Sequence, residues 1–251
     1  MGNLQVIKTE PVICKAGGDC MSKFIYSFGI ILFGLSLGYV IQLLVRRNRI
    51  KLPIDIDALR LLLQRIALLV VNPIAVVGAI WVINLKNATL IALPFVGLFA
   101  LLAGGGIALG IARMFKLSPQ KTGSIYGCGA FTNIGSIGAL VCFVFLGEKG
   151  FALVLIYKLF EELSYYAIGF PVAKYYSSST KEERIRDNLK NLTRDRFILV
   201  ALSSIIIGGL LNFSGVDRPE FYATIIAVFV PLMSIILLAS IGLALRFRRV
   251  R

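Results

Sequence analysis

The strongest constraint on this chain is a series of long apolar segments, each separated from the next by a short polar stretch. A segment needs about 20 predominantly apolar residues to cross the hydrocarbon core of a bilayer as a helix. Seven segments reach or approach that length: 24–45, 61–83, 90–112, 123–146, 151–173, 197–213 and 221–245. The sequence therefore predicts an all-α polytopic membrane protein with seven transmembrane helices in a lipid bilayer.

The basic residues between these segments indicate an orientation. Lysine and arginine are concentrated after the first, third, fifth and seventh segments, and the other loops carry almost none. Because basic loops stay on the cytoplasmic side, we expect the N-terminus outside and the C-terminus inside the cell membrane. The net charge of +14 is divided among short loops and forms no continuous stripe, which argues against a nucleic-acid partner.

The first 20 residues form a polar leader with no apolar core, so they predict neither a signal peptide nor a transmembrane segment. Met21 stands directly before the first apolar run. We therefore hypothesise that translation starts at Met21 and not at Met1, in which case residues 1–20 are not translated.

The fourth segment is built to resist a continuous helix. Residues 123–138 are rich in glycine, which disfavours helix, and Asn133 adds an amide that hydrocarbon cannot satisfy. Non-helical backbone at membrane depth is tolerated only where protein or a water-filled cavity surrounds it. The sequence predicts a broken fourth helix that lines a polar site.

Three charged residues, Lys158, Glu161 and Glu162, lie within the fifth segment. Spacings of three and four residues place the lysine on one helix face with both carboxylates, so an ion pair is geometrically available. Charges at membrane depth usually face a bundle interior or a water-filled path. Two interpretations stay open: a structural ion pair beside a polar cleft, or substrate and ion coupling. Asn72, before Pro73, is a further ion-path candidate or part of a packing kink.

The order of features in the first two segments recurs in the sixth and seventh. In both pairs a helix is followed by a loop with a proline, Pro53 or Pro219, and then by a helix containing a second proline, Pro73 or Pro231. A repeat unit of five segments is odd, so its second copy starts from the opposite side of the membrane. This predicts an inverted-repeat transporter fold.

A resemblance to a known family follows from the fourth segment. The run 133–138, Asn-Ile-Gly-Ser-Ile-Gly, followed by 145–151, Phe-Leu-Gly-Glu-Lys-Gly-Phe, resembles the signature of the auxin efflux carrier family of permeases. The family motif is Asn-x-Gly-x-x-Gly-x-Pro with a short Phe-Gly-Glu-x-Gly turn after it. Leu140 stands here in place of the proline. The resemblance extends over nearly all of residues 21–246.

The resemblance implies an architecture. Members of the family have ten helices in two inverted halves, of which helices one, two, six and seven form a scaffold and the others a mobile transport part. On this plan the scaffold is 21–89 and 197–251, the transport part is 90–175, and 176–196 is a basic cytoplasmic loop. The second repeat would be incomplete, without the last three helices. Three explanations stay open: a truncated or split carrier half, a homo-oligomer or complementing chain that completes the site, or a non-transporting membrane sensor or scaffold protein.

The resemblance also implies a function. Thr132, Asn133, Gly135 and Gly138 would be crossover residues that bind a small organic anion, such as a dicarboxylate, an auxin-like acid or an amino acid derivative. Transport would be secondary-active, by an elevator-type or alternating-access mechanism coupled to H⁺ or Na⁺.

Other functional classes fit the sequence less well. A retinal protein needs a lysine in its last helix, and 221–245 contains none. The chain has no histidine and no zinc-like cysteine spacing, and we expect no metal and no cofactor. No nucleophile–base pair or phosphate-binding loop is recognisable, so we do not expect an enzyme.

Overall fold

The computed structural model describes residues 17–47, 49–50, 53–83, 89–177 and 196–245, and the regular structure in these ranges is helical. The α-helices are α1 (Gly17–Arg46), α2 (Ile56–Ile66), α3 (Asn72–Val82), α4 (Thr89–Met114), α5 (Pro119–Ala130), α6 (Ala139–Tyr157), α7 (Glu161–Ser164), α8 (Phe170–Ser177), α9 (Arg196–Phe213) and α10 (Phe221–Ala244). Three π-helical turns lie at Ala67–Val71, Ile134–Gly138 and Tyr165–Gly169. Most of the predicted leader and of the loop 176–196 lies outside the described residues.

Several helical stretches are long and apolar enough to cross a membrane. In the described ranges there are five: Cys20–Arg46, Ile56–Val82, Leu90–Met114, Pro119–Tyr157 and Phe221–Ala244. The sixth predicted segment corresponds to a shorter apolar helix, Leu199–Phe213. An α-helical, multi-pass membrane protein is therefore confirmed, whereas the count of seven crossings and the inverted repeat stay predictions.

Two helix starts differ from the predicted segments because helices continue into polar flanking sequence. Helix α1 already begins at Gly17, ahead of the first apolar run. Helix α2 begins at Ile56, before the second predicted segment, because the Asp55 side chain accepts a hydrogen bond from the Asp57 amide at 3.4 Å. Such an N-cap satisfies one of the free amides at a helix start.

The predicted kink at Pro73 takes the form of a π-helical turn. This turn, Ala67–Val71, ends immediately before Asn72, and Pro73 lies in the first turn of α3. Proline lacks an N–H and its ring clashes with the carbonyl four residues earlier. A π turn at this point relieves that conflict and continues the same transmembrane stretch.

The helices pack in two groups. In the first group α1 lies along α10, α9 lies along α3, and α2 and α3 both contact α10. In the second group α5 packs between α4 and α8. Gly34 and Gly38 of α1 face α10, where a Cβ on Gly34 would lie 2.9 Å from the Leu238 Cβ. Glycine at both positions allows the two helices to approach closely.

The hydrophobic core lies where α6 meets the first group. Phe151 is fully buried, and it belongs to one cluster with Val76 and Ile80 of α3 and with Ile226 and Val230 of α10. The second half of α6 is therefore fixed against the first group of helices.

The fourth and fifth predicted segments fold back on each other as a hairpin, residues 119–177. The turn lies at Gly147, whose φ of 67° and ψ of −156° interrupt α6. Gly150 lies against the Cys142 carbonyl, although a continuous helix would separate these residues by about 12 Å. The first arm, 119–146, and the second arm, 148–177, are therefore antiparallel, and the predicted turn is confirmed.

Candidate functional site

Both arms of the hairpin are interrupted. The first arm leaves helical geometry at 131–133 and resumes as the π turn Ile134–Gly138, so the predicted break in the fourth helix is confirmed. The second arm was expected to be one helix over 151–173, and this is wrong. Helix α6 ends at Tyr157, and the chain forms turns at 158–160 before α7. Polar side chains lie at both breaks and account for the interruptions.

The two interruptions lie at the same level because the arms are antiparallel. A Cβ built on Gly135 in the first arm would lie 2.9 Å from the Lys158 Nζ in the second. Glycine at position 135 therefore leaves room for the lysine ammonium against the backbone of the first arm.

A cavity of about 210 Å³ lies between these interruptions and the helices α2 and α10. We refer to it as the site cavity. Its lining residues are Gln64, Leu68, Asn72, Thr132, Asn133, Gly135, Ser136, Lys158, Glu161, Tyr165, Met233, Leu237, Ser240 and Ile241. Both arms of the hairpin and the helices α2, α3 and α10 of the first helix group therefore contribute to one space with both polar and apolar walls.

Thr132, Glu161 and Tyr165 form a hydrogen-bond network across the two arms. The hydroxyls of Thr132 and Tyr165 both donate to Oε1 of Glu161. The Thr132 amide in turn donates to the Tyr165 hydroxyl oxygen at 2.8 Å. Because that amide belongs to the non-helical stretch, the network supplies the partner that a helical carbonyl would otherwise provide.

A second set of hydrogen bonds connects the first arm to α10. Asn133 Oδ1 accepts a bond from the Ser136 hydroxyl. The Ser136 carbonyl accepts a bond from the Ser234 hydroxyl of α10 at 3.0 Å. The Asn133 Nδ2 has no hydrogen-bond partner in the described part of the chain, so its two donors are available on the cavity side.

Lys158 and Glu161 both line the cavity, but they form no ion pair with each other in the described ranges. Glu161 is bonded to the two hydroxyls instead, which replaces the predicted pairing on one helix face. That pairing assumed a continuous helix, and the helix ends at Tyr157. The side chain of Glu162 lies outside the described residues, so its pairing with Lys158 stays a prediction.

The start of the π turn adds backbone donors to the site. Ile134, Gly135 and Ser136 are the first residues of this π turn, and the first amides of a helical element have no intrahelical carbonyl partner. Together with the Lys158 ammonium they make this end of the cavity electropositive, and helix N-termini favour anions.

Six of the predicted site residues line the cavity together: Asn72, Thr132, Asn133, Gly135, Lys158 and Glu161. Gly138 is not a lining residue, because it lies within the π turn against the Ile134 side chain. Four further lining residues were not predicted from the sequence: Gln64, Ser136, Tyr165 and Ser240. Tyr165 could have been identified from the sequence, because it lies four residues after Glu161 and such residues are neighbours on a helix surface.

The oxygen and nitrogen groups of the cavity do not form a metal centre of the usual kind. In the part of the chain that the structure describes, no three histidine, cysteine or acidic side chains lie close enough to bind one metal ion.

Comparison of the chain with known protein families, curated proteins and solved structures finds no match.

Proposed function

We propose that this protein is a secondary-active membrane transporter, a permease, for a small organic anion, related to the auxin efflux carriers. The observation that carries the proposal is the site cavity, where two interrupted helical arms face the helices α2 and α10 across polar residues. Interrupted helices that meet at a polar site are a recurrent feature of secondary transporters, whose half-helix ends bind the substrate.

The charges in the cavity support an anionic group on the substrate. Lys158 supplies an ammonium, and the backbone amides at the start of the π turn and the Asn133 Nδ2 supply neutral donors. A carboxylate bound there would receive charge-assisted hydrogen bonds, which are roughly twice as strong as neutral ones. Dicarboxylates, auxin-like acids and amino acid derivatives all carry such a group.

The connections between the hairpin and the first helix group suggest which contacts change during transport. The Ser234–Ser136 bond joins α10 to the first arm, and the site cavity lies between the same two parts. In an alternating-access cycle the hairpin would move against the first helix group and open the cavity to each side in turn. A gradient of H⁺ or Na⁺ would supply the energy.

The test is uptake by the purified protein in proteoliposomes, with a radiolabelled dicarboxylate, aromatic monocarboxylate and amino acid as substrates and with imposed H⁺ or Na⁺ gradients. Asn133→Ala should reduce uptake at least tenfold without reducing the amount of folded protein, since hydrogen bonds to charged groups contribute about 1.5–3 kcal/mol. Gln120→Ala is the matched control, because Gln120 is an exposed amide outside the cavity.

Two results would contradict the proposal. The first is the absence of saturable uptake of every carboxylate by folded wild-type protein. The second is uptake by Asn133→Ala at the wild-type rate, which would remove this residue from the substrate site.

A further inference from the structure

The site cavity contains two opposite charges that do not neutralise each other. The Lys158 ammonium lies against Gly135, and the Glu161 carboxylate lies on the other side of the break, bonded to Thr132 and Tyr165. In the described ranges Lys158 has no ion-pair partner, and neither has Glu161. Unpaired charges at membrane depth are costly, so a ligand that pairs with both is strongly favoured over an empty cavity.

The hydrogen bonds of Glu161 indicate which kind of ligand group its carboxylate can bind. Its Oε1 accepts hydrogen bonds from two hydroxyls, which leaves Oε2 without a hydrogen-bond partner in the described ranges. Tyr165 also receives the Thr132 amide at 2.8 Å, which leaves its own hydrogen for the carboxylate. The network thus leaves acceptor positions on Glu161 that suit an N–H donor with a positive charge.

A simple carboxylic acid would satisfy only one side of this arrangement. Its carboxylate would pair with Lys158, but it would also lie in the same cavity of about 210 Å³ as the negative Glu161. Two like charges inside one small cavity repel each other. A ligand with an ammonium next to its carboxylate avoids this repulsion.

We propose that the site binds a zwitterionic α-amino acid, with its carboxylate on Lys158 and the Asn133 amide of the first arm and its ammonium on Glu161. The proposal rests on the proposed function and specifies its substrate class. The remaining walls of the cavity indicate the side chain: Leu68, Met233, Leu237 and Ile241 supply apolar surface on α10 and beside α2. An aliphatic amino acid would bury its side chain against this surface.

The experiment compares three ligands of matched shape: leucine, 4-methylpentanoate, which lacks the ammonium, and 3-methylbutylamine, which lacks the carboxylate. Binding to the full-length protein in lipid nanodiscs is measured by isothermal titration calorimetry. Leucine should bind at least tenfold more tightly than either analogue. Glu161→Gln should abolish the advantage of leucine over 4-methylpentanoate, and Lys158→Gln should abolish its advantage over 3-methylbutylamine.

Matched controls are Glu220→Gln and Lys149→Gln, because both side chains are exposed and lie outside the cavity. Both variants should retain the wild-type order of affinities. If the cavity variants do not fold, the three affinities of the wild-type protein still test the inference, because leucine should bind more tightly than either analogue.

Equal or tighter binding of 4-methylpentanoate by the wild-type protein would overturn this inference and leave the proposed anion transporter intact. Failure of all three ligands to bind would also overturn it. The proposed function is instead contradicted by the transport results, either no uptake of any carboxylate or wild-type uptake by Asn133→Ala, so the two failures are distinguishable.

Discussion

Gly135 illustrates how a single residue controls the geometry of the site. The nearest atom to a Cβ at this position is the Lys158 Nζ, at 2.9 Å, and Gly135 lines the site cavity. Contacts under 3.0 Å require one partner to move, and the end of a lysine side chain moves easily. The lack of a side chain at position 135 therefore places the ammonium in the cavity.

We predict that Gly135→Ala folds normally but binds its carboxylate ligand about tenfold more weakly, because the displaced ammonium loses a charge-assisted bond of about 1.5–3 kcal/mol. Ligand affinity and thermal unfolding measured on the same preparation check this. Gly106→Ala in α4 is the control, since a Cβ there meets nothing within 4 Å. Unchanged affinity in Gly135→Ala would show that the position of Lys158 does not matter for binding.

Individual site residues could be predicted where a polar or charged side chain is unfavourable in a hydrocarbon environment. Asn133, Lys158 and Glu161 were identified because an amide or a charge in an apolar segment needs a polar environment. Ser240 gave no such signal, since its hydroxyl bonds the Leu237 carbonyl of its own helix at 2.7 Å. Its place in the site depends on a contact with Gln64, 176 residues away in sequence, which no local pattern encodes.

At the scale of elements, the pairing of α1 with α10 depends on close backbone approach. A Cβ on Gly38 would overlap the Ala239 carbonyl, and this neighbour is helical backbone that cannot move aside. Without a hydrophobic driving force between helices in lipid, such close packing supplies much of the association.

We therefore expect Gly38→Ala to destabilise the protein by about 1–3 kcal/mol, the usual cost of overpacking a well-filled contact. The measurement is the midpoint of thermal unfolding in detergent, followed by intrinsic fluorescence. Gly29→Ala, on the same helix with no atom within 4 Å of its Cβ position, should leave the midpoint unchanged. Equal midpoints for Gly38→Ala and the wild type would contradict the close packing of α1 and α10.

The hairpin turn is held to the first helix group by one ion pair. Arg218 Nη1 lies 2.6 Å from Glu148 Oε2 and also donates to the Gly78 carbonyl at 3.0 Å. The two side chains retain 11% and 22% of their exposure, so the pair is largely removed from solvent. Glu148 directly follows the turn at Gly147, and Arg218 belongs to the loop between α9 and α10, so the pair connects parts distant in sequence.

Removing one partner of this pair should be costly, because the other charge is left largely buried. We predict that Arg218→Gln and Glu148→Gln each lower the free energy of unfolding by about 3 kcal/mol. The double variant should lose less than the sum of the two, as measured in a double-mutant cycle. The exposed pair Asp57–Arg60, at 3.5 Å, is the control, and its loss in Asp57→Asn should cost under about 1 kcal/mol. Additive effects at positions 148 and 218 would exclude an energetic coupling.

The elements also show where sequence patterns fail. Apolar runs predict most helix positions well, but the run 151–173 predicts a continuous helix that the structure interrupts at 158–160. Hydropathy averages over a window and does not register that Glu161 and Tyr165 find a hydrogen-bond partner, Thr132, on the first arm. The reversal at Gly147 makes those partners available, and its positive φ is a conformation that glycine adopts readily.

At the scale of the whole molecule, the alternation of basic loops predicts how the protein is oriented in the bilayer. Two contacts lie at helix ends where the loops carry few basic residues. Arg218 pairs with Glu148, and Trp81 Nε1 donates a hydrogen bond to the Val216 carbonyl at 2.8 Å. From the positive-inside rule we expect these ends outside the cell and the basic loops in the cytoplasm. The ion pair at the hairpin turn would then face the external medium.

We predict that alkaline phosphatase inserted after Gly215 is active in a bacterial host, because this enzyme needs the oxidising environment outside the cytoplasm to form its disulfides. Green fluorescent protein fused after Arg251 should fluoresce, which reports a cytoplasmic C-terminus. The reciprocal fusions, phosphatase after Arg251 and fluorescent protein after Gly215, are the controls and should both be inactive. Active phosphatase at the C-terminus would reverse the orientation, and the Arg218–Glu148 pair would then close the cytoplasmic side of the hairpin.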